Sequence, residues 1–111
     1  MKTVFHLNLE DAAKQSELLG NIQNLMDDDS VQVGEIAAVI NADAVEMVKN
    51  DSEATEFIED FPEKVTFYAC SNSLENREIT EDELAEGVEP VNSGVGKLNK
   101  LQDDGFNYIK I

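Results

Sequence analysis

The sequence predicts an α/β protein, a three-layer α/β/α sandwich around a mostly parallel sheet of about five strands. Three observations carry that prediction. Short apolar runs alternate with segments of helical periodicity. The run Val31 to Ile40 is rich in β-branched and small apolar residues, which suits a strand covered on both faces. A length of 111 residues fits one domain with a single hydrophobic core, residues 1–111.

The first strand is expected over Lys2 to Leu7, with Val4 and His6 on one side and Thr3, Phe5 and Leu7 on the other. From Asp11 to Asp28, Leu18, Ile22 and Leu25 recur at helical spacing with Leu19 and Met26 beside them, while Lys14, Gln15, Glu17 and Asn21 face outward. The acidic turn Asp27 to Asp29 leads into the second strand, Val31 to Ile40. A short helix fits Ala44 to Val48. Ala54, Phe57, Ile58 and Phe61 repeat as one helical face, which Pro62 stops.

Val65 to Ala69 is the third strand, followed by Cys70 and the helix-starting cluster Ser71-Asn72-Ser73. Thr80 and Glu83 have the spacing of a capping box, which predicts a helix over Glu81 to Glu86 ending at Gly87. A short strand follows near Val88 to Val91. Ser93-Gly94-Val95-Gly96 then opens a helix with Val95, Leu98 and Leu101 on one face, closed by Gly105, and Phe106 to Ile111 is the last strand. There is no internal repeat, low-complexity tract or linker.

Acidic residues number 24 against 8 basic ones, a formal charge of −16 at pH 7. Such a surface repels phosphate backbones and anionic lipid, so neither nucleic acid nor membrane is expected as a partner. Self-repulsion of this size strains the compact state and is screened by salt; a salt-loving source is the favoured explanation, against a merely acidic protein whose carboxylates are the solvated outer faces of helices. With no signal-like leader, no apolar run long enough to span a bilayer and one cysteine, the chain reads as cytoplasmic and soluble.

Polar residues cluster where the predicted strands end, and in a parallel sheet those ends share one rim. They are His6 and Asn8 after the first strand, Asn41 and Asp43 after the second, Cys70, Ser71, Asn72 and Ser73 after the third, and Asn92 to Gly96, with Ser93 and Gly94 among them, after the fourth. Cys70 is the leading candidate. It stands at a strand-to-helix junction, where free N–H groups favour the thiolate that attacks sulfur electrophiles. The competing view is that a lone cysteine is a small buried hydrophobe. No second cysteine exists to resolve an oxidised or sulfur-bearing state, so any sulfur must pass to another molecule.

His6, the sole histidine, would suit a thiolate partner, although a hydrogen-bonded histidine without a catalytic role is the plainer reading. One cysteine and one histidine are too few for a closed zinc site, and the acidic stretches lack the ligand pattern of a calcium loop. No metal or cofactor is expected. Gly94 and Gly96 beside Ser93 would let backbone approach an anion, but the segment is not a nucleotide fingerprint.

The segments Val4-Phe5-His6-Leu7, Asn21-Ile22-Gln23-Asn24-Leu25, Val65 to Leu74, Ser93-Gly94-Val95, Leu101-Gln102 and Gly105 to Lys110, in that order, resemble the DsrE/DsrF-like proteins over nearly the whole chain. The resemblance implies a compact α/β/α domain that forms homo-oligomers, commonly trimers or hexamers. In members of sulfur metabolism it implies a cysteine that carries sulfur as a persulfide, here Cys70. Asn21 and Asn24 fall in the family's first helix, and Ser93 with Gly94 in the loop near the cysteine. One departure is the pair Asn41-Ala42, where many relatives have a histidine or glycine.

Two principal readings follow. In the first the chain is a cytoplasmic sulfur carrier or sulfurtransferase that takes sulfane sulfur from a donor protein onto Cys70 and hands it to an acceptor thiol. In the second it is an oligomeric module that binds a small ligand or a protein, and Cys70 is structural. A metal-assisted enzyme at an intersubunit site is a third, weaker option.

Overall fold

The computed structural model covers Met1–Ile111 and contains five strands: β1 (Lys2–Leu7), β2 (Ile36–Ile40), β3 (Val65–Cys70), β4 (Glu89–Val91) and β5 (Phe106–Lys110). They form one sheet in the order β4-β3-β2-β1-β5, and every neighbouring pair is parallel. The sheet is therefore fully parallel, and all strand C-termini lie on one rim. Four α-helices cover it: α1 (Ala12–Asp27), α2 (Thr55–Asp60), α3 (Ser71–Asn76) and α4 (Gly94–Asp103). No helix is long and apolar enough to cross a membrane.

Strand alternation divides the core in two. Phe5, Leu7, Ile36, Ala38, Ile40, Phe67 and Ala69 point to the side of α1, α2 and α3 and join a cluster of 20 buried residues that includes Leu18, Ile22, Ile58 and Leu74. On the other side Val4, Ala37 and Val39 meet Leu98 and Leu101 of α4 in a cluster of 5, with the half-buried Tyr68 and Phe106 packed against it. All five residues of β2 are buried, as a central parallel strand requires. Its neighbour β1 is also buried from Thr3 to Leu7.

The second strand is shorter than the sequence predicts. Pairing with β1 begins at Thr3↔Ile36, and upstream of it Gly34 lies so close to Met1 that an added Cβ would stand 3.0 Å from the Met1 carbonyl oxygen. Residues 31–35 thus pass the chain's start as irregular backbone. The predicted short helix after the second strand is a 3₁₀ segment, Ala42–Val48, with Ala44, Val45, Met47 and Val48 buried.

The predicted helix Glu81 to Glu86 is reduced to a 3₁₀ turn, Glu81–Glu83. Its capping box does form, with both the Thr80 and the Glu83 side chains engaged. Helix growth stops because Leu84 turns extended and pairs with Lys49, and the Ala85 N–H donates to the Val48 carbonyl. Tertiary pairing overrides the local start signal.

Two apolar faces also differ in detail. Phe57 on α2 is 61% exposed and Val95 on α4 is 62% exposed, although Ile58, Leu98 and Leu101 are buried as expected. In the first turn of α4 the inward position, four residues before Leu98, belongs to Gly94.

The two edges of the sheet are unlike. Strand β4 is three residues long and carries Pro90, which has no N–H to offer. Strand β5 is longer, and Tyr108 and Ile109 are exposed on its two sides, at 41% and 43%.

Candidate functional site

Cys70 is the last residue of β3 and leads directly into α3. Its register with Val91, two residues after Tyr68, turns its side chain toward α4. The first turn of α3 leaves the N–H groups of Asn72 and Ser73 without helical partners. Gly94, the first residue of α4, adds a third free N–H from across the sheet end.

These three N–H groups and the Ser73 hydroxyl all act on the sulfur. Burial pushes the thiol up, yet the four donors together outweigh it and leave Cys70 below the ordinary thiol range. The Cys70 side chain itself makes no cap hydrogen bond. Cys70 is 6% exposed and lines none of the three main surface cavities.

Ser73 is held in place from behind. The Ala42 N–H donates to its Oγ at 2.8 Å, which leaves the hydroxyl hydrogen for the sulfur. Ala42 has φ 53°, in the left-handed region that a residue with a Cβ rarely adopts. That strained turn is what aims its N–H at Ser73.

Next to Cys70 stands Asn41, packed so tightly under α4 that a Cβ on Gly94 would lie 3.0 Å from the Asn41 Cβ. Its Oδ1 is 2.9 Å from His6 Nε2, and His6 Nδ1 is 2.7 Å from the Tyr108 hydroxyl. Burial lowers the His6 pKa, the Asn41 bond raises it by less, and Lys110 lowers it again. A neutral ring fits both partners: Nε2–H donates to Asn41 and Nδ1 accepts from Tyr108. The row Tyr108, His6, Asn41 runs across β5, β1 and the end of β2 toward the thiol, with Asn41 between imidazole and sulfur.

Of the residues the sequence singles out, the structure brings Cys70, Asn72, Ser73 and Gly94 together, with His6 and Asn41 alongside. Ser93 stands one residue away and caps α4, its Oγ accepting from the Gly96 N–H at 2.8 Å. Ser71 begins α3 without a side-chain hydrogen bond, and Asn72 contributes its backbone. Asn8 is half-buried at the end of β1 and takes no part.

Three participants were not foreseen. Tyr108 becomes visible only when β5 is placed beside β1, and Ala42 only through its backbone conformation. Arg77, the chain's one arginine, follows α3 and bonds Glu10, Asp43 and Glu46 at 3.0, 3.0 and 2.9 Å. It ties the loop after β1 and the 3₁₀ segment to the end of α3, and the last two are the elements that hold Ala42 against Ser73. No group of three metal-ligating side chains converges with the geometry to hold an ion.

The model of the DsrE/DsrF-like family matches residues 2–111. A protein of unknown function from Methanobacterium thermoautotrophicum is 32% identical and superposes with a TM-score of 0.92, over 99% of this chain and 98% of that one. A conserved protein of unknown function from Bacteroides thetaiotaomicron shares the fold at 17% identity, with a TM-score of 0.77 over 99% of this chain and 94% of that one. No protein of curated function matches. The chain belongs to the DsrE/DsrF-like family.

Proposed function

We propose that this member of the DsrE/DsrF-like family relays sulfane sulfur as a persulfide on Cys70, acting as a cytoplasmic sulfur carrier or sulfurtransferase between a donor and an acceptor protein. The observation that carries the reading is the convergence of two helix starts on one sulfur, with the N–H groups of Asn72, Ser73 and Gly94 and the Ser73 hydroxyl opposing the cost of burial. Family membership supports it. Homo-oligomers, trimers or hexamers, are part of the same proposal.

The Cys70 thiol first loses its proton to solvent. The thiolate attacks the outer sulfur of a donor persulfide, a new S–S bond forms on Cys70, the donor's S–S bond breaks, and the donor leaves as a thiolate that takes up a proton. The acceptor thiolate then attacks the outer sulfur of the Cys70 persulfide and returns Cys70 as a thiolate. Neither step needs an outside oxidant or reductant. The same donors serve thiolate and persulfide anion alike, and His6 has no proton to move at the sulfur.

Intact-mass analysis after incubation with inorganic polysulfide tests the reading. The native chain should gain the mass of one sulfur atom and Cys70→Ala should gain none; equal masses in both would overturn it. The 6% exposure of Cys70 favours a second reading, an oligomeric ligand- or protein-binding module with a structural cysteine. In that case a thiol reagent would label Cys70 only after denaturation, and its rate would show no thiolate titration below the free-cysteine range.

A further inference from the structure

We propose that the cavity between β4 and α4 is an anion subsite beside Cys70, with Lys97 and Lys100 holding the negatively charged end of the molecule that exchanges sulfur there. The choice of substrate rests on the relay reading, whereas the anion site itself does not. The cavity measures about 300 Å³ and is lined by Val91, Asn92, Ser93, Gly96, Lys97 and Lys100, together with Pro90. Two lysines and no carboxylate line it, in a chain with 24 acidic and 8 basic residues.

Charge is sorted at this end of the molecule. Every ion pair in the structure uses Lys14, Lys49 or Arg77, so neither Lys97 nor Lys100 has a carboxylate within 4.0 Å. Lys2, whose position on its strand faces the α4 side, is equally without a carboxylate, whereas Lys110 Nζ donates to the Ile111 carbonyl oxygen at 2.6 Å. The neighbouring cavity, which Glu89 of β4 also lines, takes Glu59, Glu63 and Glu86 as well. Glutamates line the one hollow and lysines the other, while Glu89, the register partner of Tyr68, also acts on the tyrosine that Lys97 covers.

Position links the lysine cavity to the thiol. Val91 is the register partner of Cys70, and Lys97 rests its Nζ 4.3 Å from the ring centre of Tyr68, two residues before Cys70. The Gly94 N–H that serves the sulfur belongs to the same turn of α4 as Ser93 and Gly96. An anion seated on the two ammonium groups would lie next to the sulfur-bearing strand ends. The fitting ligand carries a carboxylate or another small anion close to its reactive sulfur, either as a free molecule or as an acidic side chain beside the sulfur of a partner protein.

The test compares alkylation of Cys70 by iodoacetate and by iodoacetamide at low ionic strength. The rate ratio of the anionic to the neutral reagent should fall about fivefold in Lys97→Gln/Lys100→Gln, while the iodoacetamide rate changes less than about twofold and Lys64→Gln leaves the ratio unaltered. An unchanged ratio in the double variant overturns the subsite. Sulfate titrated against the amide resonances of Ser93, Gly96 and Lys97 gives a second measure that needs no reaction at the thiol. Saturable shifts lost in the double variant support the site, and their absence in the native chain overturns it.

Two further arms separate the sources. Protection by sulfate against iodoacetate points to a free anion. Faster mixed-disulfide formation with an aspartate-flanked cysteine peptide than with its asparagine counterpart, without protection by sulfate, points to a partner's side chain. Sulfur uptake on Cys70 with an unaltered reagent ratio would leave the relay standing and remove the subsite, and the reverse result would separate them in the other sense.

Discussion

The two faces of the sheet divide the labour of the molecule. One face is thick, with a cluster of 20 buried residues under α1, α2, α3 and the 3₁₀ segment; the other is thin, with 5 under α4 alone. The thin face carries the thiol, the Tyr108–His6–Asn41 row and the unpaired lysines. A small domain has few places where polar groups can be half-buried without cutting into its main core, and this one puts them where the least apolar packing is lost. The comparison predicts that stability and thiol chemistry respond to different faces.

The sharpest way to break that comparison is a pair of core truncations. Ile22→Ala on the thick face should cost about 3 kcal/mol in urea unfolding and leave the pH profile of Cys70 labelling in place. Leu98→Ala on the thin face should cost about 2 kcal/mol and also move the profile to higher pH, because α4 brings the Gly94 N–H to the sulfur. Identical profiles in the two variants would refute the division.

A smaller effect is expected at Ser73. Ser73→Ala removes a donor from the thiolate and the acceptor of the Ala42 N–H, so it should cost about 1 kcal/mol and raise the labelling midpoint. The sign of the associated pH dependence follows from linkage. A thiol held below its unfolded value adds stability that is complete above the unfolded pKa and lost as pH falls through the folded one. Native chain minus Cys70→Ala should therefore gain stability as pH rises through that window, and Ser73→Ala should narrow it. On the acid side, lowered His6 makes folding oppose protonation, so stability should fall as pH drops below the ordinary imidazole range, a loss that His6→Gln abolishes.

Smaller again is the strain at φ > 0. Ala42→Gly and Glu78→Gly, at φ 53° and 56°, should each stabilise by about 0.5–1 kcal/mol, read from the denaturant midpoint. Glu78 closes α3, where a left-handed residue ends the helix and the Ile79 N–H returns to the Leu74 carbonyl. Only the Ala42 change should slow Cys70 labelling, since it loosens the turn that orients Ser73. Least of all per unit change is added salt, which should raise the thermal midpoint by screening a net charge of −16.

Much of this was readable from the chain. Strand alternation put Val4 and His6 on the side opposite Phe5 and Leu7, and strict period two makes such assignments firm. The strand-to-helix junction located Cys70, because the apolar run Val65 to Ala69 gives way there to the helix-starting cluster Ser71-Asn72-Ser73. What failed was set by distant partners. The Thr80 to Glu83 start signal was sound, but pairing of Leu84 with Lys49 ended the helix after one turn. Val95 missed the core since α4 meets the sheet on the Gly94 side, and no periodicity within one helix reveals what crosses beneath it. The Asn41 wedge and Tyr108 needed strand order, which pattern alone leaves open.

Arg77 has one more consequence, and it concerns heat. Glu10, Asp43 and Glu46 converge on a single guanidinium whose fork of donors reaches all three, a task beyond an ammonium group. The penalty for drying charged groups shrinks on warming, so a network of this kind holds better near the melting point than in the cold. The brace that ties the loop after β1 and the 3₁₀ segment to the end of α3 is thus one contact whose relative worth grows on warming.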